Sequence, residues 1–222
     1  MIFFEKECII IVNEILGKPK KKWYAIALNI VLDVLIVFIV GLILLFIFIS
    51  PVKIQGASME NTLHDGQLVA TWRFAPSSYS VGDVVTIKVE DKVIIKRIVA
   101  VEGEKIAFAY DEEGAICLYK YKNNEWVKQK ESYVKEKATV VAGLFVGITV
   151  YDNASKITDG ITIEKGKVFV LGDNRNVSAD SRRYGQFKTS DIISKMIFNI
   201  SENGFMNFIF TVLFPFSKGE TQ

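Results

Sequence analysis

Three stretches of this chain carry residues that could do covalent chemistry. The first is Gly56-Ala57-Ser58-Met59-Glu60-Asn61-Thr62-Leu63, a serine behind two small residues. Small neighbours let another backbone come close to the hydroxyl, as attack on a carbonyl requires. A serine hydroxyl is a weak nucleophile at neutral pH and needs a base to take its proton. The second stretch, Lys92-Val93-Ile94-Ile95-Lys96-Arg97-Ile98-Val99, offers that base in Lys96. Strand alternation puts Lys96 on one face with Ile94 and Ile98. If that face is covered, desolvation lowers the pKa and a neutral amine becomes available as a general base. If Ile95, Arg97 and Val99 face inward instead, Lys96 points to water.

The third stretch is Gly172-Asp173-Asn174-Arg175-Asn176-Val177-Ser178-Ala179-Asp180-Ser181-Arg182, a dense polar loop behind the apolar run Val168–Leu171. Acids and arginines at this spacing can pair locally and hold a loop in one shape. Ser178 or Ser181 could then offer a hydroxyl to orient a neutral lysine; a solvated turn is the alternative. The single histidine, His64, follows Ser58 closely, but no carboxylate is matched to it and it reads as a turn residue.

These stretches need elements to position them. From Ala25 to Ile49 the chain is apolar apart from Asn29 and Asp33. The charge-free run from Val34 to Pro51, about 18 residues, suffices to cross a bilayer, with Leu28 to Leu32 available for tilt. Trp23 and Tyr24 suit the headgroup belt. The run is too long for the core of a cleavable signal, lacks a small-x-small exit, and is too uniformly apolar for a globular core helix. The predicted organisation is a cytoplasmic segment over residues 1–22, a transmembrane anchor over 23–50 and an extracytoplasmic β domain over 51–222. Lys18, Lys20, Lys21 and Lys22 before the anchor, against Lys53 alone close behind it, put the N-terminus in the cytoplasm. Met1–Leu16 could lie along the membrane surface as an amphipathic helix.

Beyond Pro51 the pattern is that of strands. Gln67–Phe74, Val84–Val89 and Val93–Val101 are rich in branched residues, the last two joined by a turn at Glu90-Asp91 as a hairpin. Residues 104–165 hold shorter strand candidates (Ile106–Tyr110, Ile116–Tyr121, Val140–Val150, Ile161–Ile163) and read as an elaboration or small lobe without identifiable chemistry. Val168–Leu171 reads as a buried strand. Residues 204–216 are apolar but too short to span, so they cover the core or dip into the outer leaflet.

Composition removes several classes. The chain has 222 residues, half of them hydrophobic, and a net charge of +2, too even for a nucleic-acid binder. Cys8 and Cys117 fall on opposite sides of the anchor and so cannot pair within one chain, and no metal-ligand spacing is present.

Taken in order, Ser58-Met59 with Thr62-Leu63, Gly82-Asp83-Val84-Val85, Lys96-Arg97-Ile98-Val99, and Gly172-Asp173-Asn174-Arg175 with Ser178-Ala179-Asp180-Ser181-Arg182 resemble the motifs of bacterial type I signal peptidases. The resemblance runs from Val52 to Gly185, with the middle region unaligned. It implies a mostly β fold, a signal-peptidase-like catalytic domain behind an N-terminal transmembrane helix. It also implies a serine endopeptidase of the cell membrane that removes signal peptides from exported precursors, without metal or organic cofactor. Ser58 would be the nucleophile and Lys96 the general base, with Ser178 orienting the amine. The Ser58 backbone N–H would serve the oxyanion hole, Asp173 would pair with Arg97, and Asp180 with Arg182. Gly56, Ala57 and Met59 would line the substrate.

The chain departs from the family pattern in places. Gly56 stands where some members have a second oxyanion serine. Asn61 and Glu102 replace prolines, Glu104 an aspartate, and Asn176-Val177 an Asp-Asn pair. Substrate is expected to bind extended, as an added strand beside Ser58 and the Val84–Val89 strand, with alanine-sized pockets before the cut. The alternatives are an anchored peptide-binding module of the same fold, weakly active or inactive, and a self-cleaving repressor with a related site. The repressor would need a DNA-binding segment where this chain has its apolar span. Precursor proteins and the lipid bilayer are the partners expected, nucleic acid is not, and the oligomeric state is left open.

Overall fold

The computed structural model describes residues 22–74, 78–139, 147–202, 204 and 208. The readings made for residues 1–21, for most of the Val140–Val150 strand and for nearly all of 204–216 lie outside the described residues. The chain divides into one unit ending at Phe46 and a second beginning at Ile47.

Helix α1 spans Trp23–Phe48, 26 residues. At 1.5 Å per residue that is about 39 Å, enough to cross a hydrocarbon core of about 30 Å with tilt. No residue in its 23-residue apolar window Trp23–Leu45 is buried. Side chains such as Val37 and Phe38 are well exposed. An apolar surface all round a helix has no use in water, and its natural surroundings are lipid.

Where the anchor reading runs to residue 50, the chain turns to strand at Ile49. Strand β1 (Ile49–Lys53) pairs antiparallel with β2 (Leu68–Trp72), Pro51 opposite Ala70. Pro51 is tolerated because β1 is the edge of its sheet and a missing N–H costs little there. At this junction the Phe48 ring lies 5.2 Å from Trp72 and 5.1 Å from Phe74, both of which remain exposed.

The second unit is built on an antiparallel sheet. With β3 (Val84–Val89), β4 (Lys92–Val101), β10 (Lys167–Leu171), β11 (Phe187–Lys188) and β12 (Ile192–Asn199), its order is β1-β2-β12-β3-β4-β10-β11. Strand β12 has no alternating pattern because register shifts at Ile192/Ser194 and Met196/Phe198 break its period. Residues 104–165 form a second sheet from β5 (Lys105–Tyr110), β6 (Ile116–Lys122), β7 (Glu125–Lys128), β8 (Val150–Tyr151) and β9 (Ile161–Thr162). Phe108, Leu118 and Ile163 of this lobe pack with Val99, Ala100, Phe169 and Leu171. Val85, Ile87 and Ile98 join Val168 and Val170 in another cluster. The middle of β4 is therefore covered on both faces, which is the setting a desolvated lysine requires.

Candidate active site

Ser58 sits in a loop closed at its base like a short ladder. Ile54 N–H donates to Gln67 O (2.8 Å) and Gly66 N–H to Ile54 O (3.0 Å). Inside the loop, Leu63 N–H and Thr62 N–H both donate to Met59 O, at 2.9 and 3.1 Å. The turn is anchored by Met59, fully buried with Ile54, Leu63, Val84 and Ile95. Burying such a side chain is worth roughly 1.5–3 kcal/mol. Met59 follows Ser58 and Ile95 precedes Lys96, so one apolar cluster draws the two reactive positions together.

Lys96 Nζ lies 2.7 Å from Ser58 Oγ and donates a hydrogen bond to Ile95 O, also at 2.7 Å. Lys96 is 3% exposed, whereas Ser58 keeps part of its surface open. Burial lowers the ammonium pKa from 10.5 to about 8; Asp180 and Asp173 raise it and Arg182 lowers it. At about 1.4 kcal/mol per unit, the interior disfavours the charged form by about 3 kcal/mol. A neutral amine has two N–H donors and one lone pair. With one N–H on Ile95 O and the lone pair facing the serine O–H, one N–H is left over. Alternation along β4 cannot predict this burial, because Ile95, Ile98, Val99 and Ala100 are all buried whichever way each points.

The polar loop after β10 closes over the serine. Asn174 N–H donates to Ser58 O at 3.1 Å. Arg97 grips Asp173 through Nε (2.9 Å) and Nη2 (2.6 Å) and reaches Gly82 O (3.0 Å) and Thr62 Oγ1 (3.4 Å). Arg182 grips Asp180 through Nε (2.9 Å) and Nη2 (2.8 Å), both residues being almost fully buried. Asp180 also accepts from Gly172 N–H (3.0 Å) and from Arg182 N–H, capping the short helix Ser181–Tyr184. These forked, charge-assisted bonds fix the loop more firmly than neutral ones. Ser181 Oγ accepts from Val170 N–H at 2.9 Å, next to the point where β10 slips register against β4. Ser178 is different. Its hydroxyl is buried and has no hydrogen-bond partner among the described residues, so it makes no bond to Lys96.

Gly172 sets the spacing of these parts. A Cβ there would run into Ser178 Oγ and Cβ and into the Ser58 carbonyl oxygen. Gly172→Ala is expected to force the serine loop and the Ser178 loop apart. Cleavage should fall by about 100-fold, as a displacement near 1 Å can do, and stability by about 1–3 kcal/mol. A thermal melt read beside a cleavage assay checks both. Wild-type activity in Gly172→Ala would mean that the spacing is unimportant.

The remaining predicted residues are also placed. Gly56 has φ +82, a left-handed conformation suited to glycine, and its N–H donates to Asp65 Oδ1 at 2.7 Å. Gly56 and Ala57 are exposed. The Ser58 N–H enters no hydrogen bond among the described residues. Ser58 and Lys96 open on a cleft of about 380 Å³, walled by Val52, Ile54, Gln55, Thr86 and the 93–95 stretch of β4. His64 is exposed, and its Nδ1 lies 2.8 Å from Glu60 Oε1, a carboxylate that the sequence spacing did not suggest.

The departures from the family pattern have local explanations. Asn61 has φ +84, which a proline ring cannot adopt, so asparagine suits this backbone. Glu102 accepts from Gly166 N–H at 2.8 Å. Glu104 accepts from Val101 N–H (2.9 Å) and holds buried Lys120 at 2.8 Å. Sequence reasoning missed Glu131 and Tyr133, which come from the charged stretch before residue 140 and bear on the site. Nothing in that stretch's local pattern distinguishes them, because their partners lie far away in the chain.

A model of the family described as "Signal peptidase, peptidase S26" matches residues 27–200. Signal peptidase IB of Staphylococcus aureus (strain N315) is 31% identical over 184 residues, covering 81% of this chain and 90% of its own length. Signal peptidase I V of Bacillus subtilis (strain 168) is 32% identical over 144 residues, 64% of this chain and 79% of the relative. Among solved structures, a signal peptidase I from Enterococcus faecalis V583 aligns with a TM-score of 0.38 at 24% identity, over 55% of this chain and 98% of that one.

Proposed function

Because this chain belongs to the signal peptidase family, peptidase S26, we propose that it cuts signal peptides from exported precursors with a Ser58–Lys96 dyad. The observation that carries the reading is the 2.7 Å contact between a partly open hydroxyl and an amine at 3% exposure, whose charged form is disfavoured.

In this reaction the neutral Lys96 amine takes the Ser58 proton as Oγ attacks the scissile carbonyl carbon. The resulting ammonium gives a proton to the leaving amine, and the peptide C–N bond breaks to leave an ester on Ser58. Lys96, neutral again, takes a proton from water, which opens the ester and frees the enzyme. The free Ser58 N–H serves the developing oxyanion. Ser178, whose buried hydroxyl has no hydrogen-bond partner among the described residues, is the candidate acceptor for the spare amine N–H. Asp173–Arg97 and Asp180–Arg182 keep the loop in register. Gly56 and Ala57, exposed just before Ser58, flank the approach of an extended substrate laid in the cleft. Met59, expected from the sequence to line the substrate, is instead wholly buried and acts only by packing the loop.

The apolar helix anchors the protein. Lys22 at its start, with the lysines before it, argues for a cytoplasmic N-terminus and a β domain on the far side. Only two residues separate the end of the apolar window at Leu45 from Phe48. The Phe48–Trp72–Phe74 cluster therefore suits headgroup depth, where the end of a substrate's own apolar segment emerges.

The test is incubation of the detergent-solubilised chain with an unprocessed secretory precursor. Release of a shortened product is expected. A stable complex without product would favour the peptide-binding alternative.

A further inference from the structure

Residues 131–139 leave the small lobe and cross to the site, where they lock onto two of its arginines, Arg175 and Arg97. Glu131 receives a fork from Arg175, Nη2–Oε1 2.6 Å and Nη1–Oε2 2.8 Å, with both side chains nearly buried. Tyr133 donates its O–H to Glu131 Oε1 at 2.7 Å, and its ring lies 4.2 Å beneath the Arg97 guanidinium. Burial raises the Tyr133 pKa, with Glu131 adding to it, so the hydroxyl stays a donor. Further along, Asn176 Nδ2 donates to Lys137 O, and Asn176 Oδ1 accepts from Thr139 N–H, each at 3.0 Å. Asn176 is one of the positions where the chain departs from the family pattern.

We infer that the 131–139 segment is a clasp, with Glu131 and Tyr133 as positioning residues that hold the Gly172–Ser178 loop against Ser58 and Lys96. The route is short. Arg175, held by Glu131, donates Nε to Gly172 O at 3.1 Å. Gly172 in turn is pressed between Ser178 and the Ser58 carbonyl. Tyr133 steadies Arg97, the residue after Lys96, which also reaches Thr62 in the serine loop. Neither Glu131 nor Tyr133 lines the substrate cleft. The clasp thus acts on the geometry of the dyad and not on substrate affinity. It rests on the dyad reading above.

The experiment compares full-length wild type, Glu131→Gln, Tyr133→Phe and Tyr133→Ala on one precursor peptide, measuring kcat and KM across pH. Ser58→Ala and Lys96→Ala run alongside. Glu131→Gln keeps the shape but gives up the charge and one arm of the fork, so kcat should fall about ten-fold with KM unchanged. A looser loop admits water to Lys96, which faces Asp173, Asp180 and Arg182. The acid limb of the kcat profile should therefore move to higher pH. Tyr133→Phe keeps the ring under Arg97 and should lose less than Tyr133→Ala. It also carries the test if Glu131→Gln does not fold.

A purely structural role would lower the folded fraction and leave kcat per folded molecule and the pH profile at wild-type values. That result, with both dyad variants inactive, overturns the clasp alone. Cleavage retained in Ser58→Ala or Lys96→Ala overturns the dyad and the clasp with it.

Discussion

Replacing Ser58 by alanine is expected to lower the cleavage rate of a precursor by on the order of 10⁴-fold or more while the protein stays folded. The size of the loss follows from covalent catalysis: without Oγ no ester forms, and what survives is binding and oxyanion stabilisation around an unactivated water. The fold should tolerate the change. Ser58 is only partly buried, its hydroxyl hydrogen-bonds only Lys96 among the described residues, and Met59 and the 54–67 ladder hold the loop without it. A stability change of about 1 kcal/mol or less is expected. Intact melting with lost cleavage supports the nucleophile; intact melting with wild-type cleavage sends the search elsewhere.

Lys96→Arg should be as damaging, and it is more informative than truncation. The guanidinium keeps a positive charge and donors, but it does not lose its proton in this range. If Lys96 served as a fixed charge, arginine would retain much of its effect. If it serves as a base, arginine leaves the serine unactivated at every pH, and raising the pH rescues nothing. Lys96→Ala is expected to be equally inactive. The arginine side chain is also larger than its slot between Ile95 O and Ser58, so a melt must accompany the assay. A folded, active Lys96→Arg protein would exclude general-base chemistry at this position.

Much of this molecule was legible in its sequence, and the illegible parts have physical causes. The apolar run over α1 and the Val/Ile-rich β3–β4 hairpin follow from composition and periodicity alone. The sequence also named Ser58, Lys96, Asp173 and Asp180, which the fold brings into one neighbourhood. Strand β1 was hidden because Ile49 continues the helix's apolar run and Pro51 looks like a terminator; only its edge position makes it a strand residue. Strand β12 was hidden by its register shifts. The orientation of Lys96 could not be decided by alternation, since β4 is covered on both faces. Glu131 and Tyr133 were invisible for a different reason. Their partners, Arg175 and Arg97, are distant in the chain, and long-range ion pairs leave no local spacing to read. For Ser178 the sequence allowed two serines to orient the amine. The fold commits Ser181 to Val170 and leaves the Ser178 hydroxyl without a partner among the described residues.

The pH dependence of the acylation step, followed in single turnovers with excess enzyme, tests the central claim most directly. Only the neutral amine can accept the Ser58 proton. The rate should therefore climb about tenfold per pH unit on the acid side, pass half-maximum near 8 and level off above it. The burial that lowers the lysine from 10.5 sets that midpoint. A limb centred near 10.5 would instead describe a solvated amine. That result, or the same profile surviving in Lys96→Ala, would contradict the account.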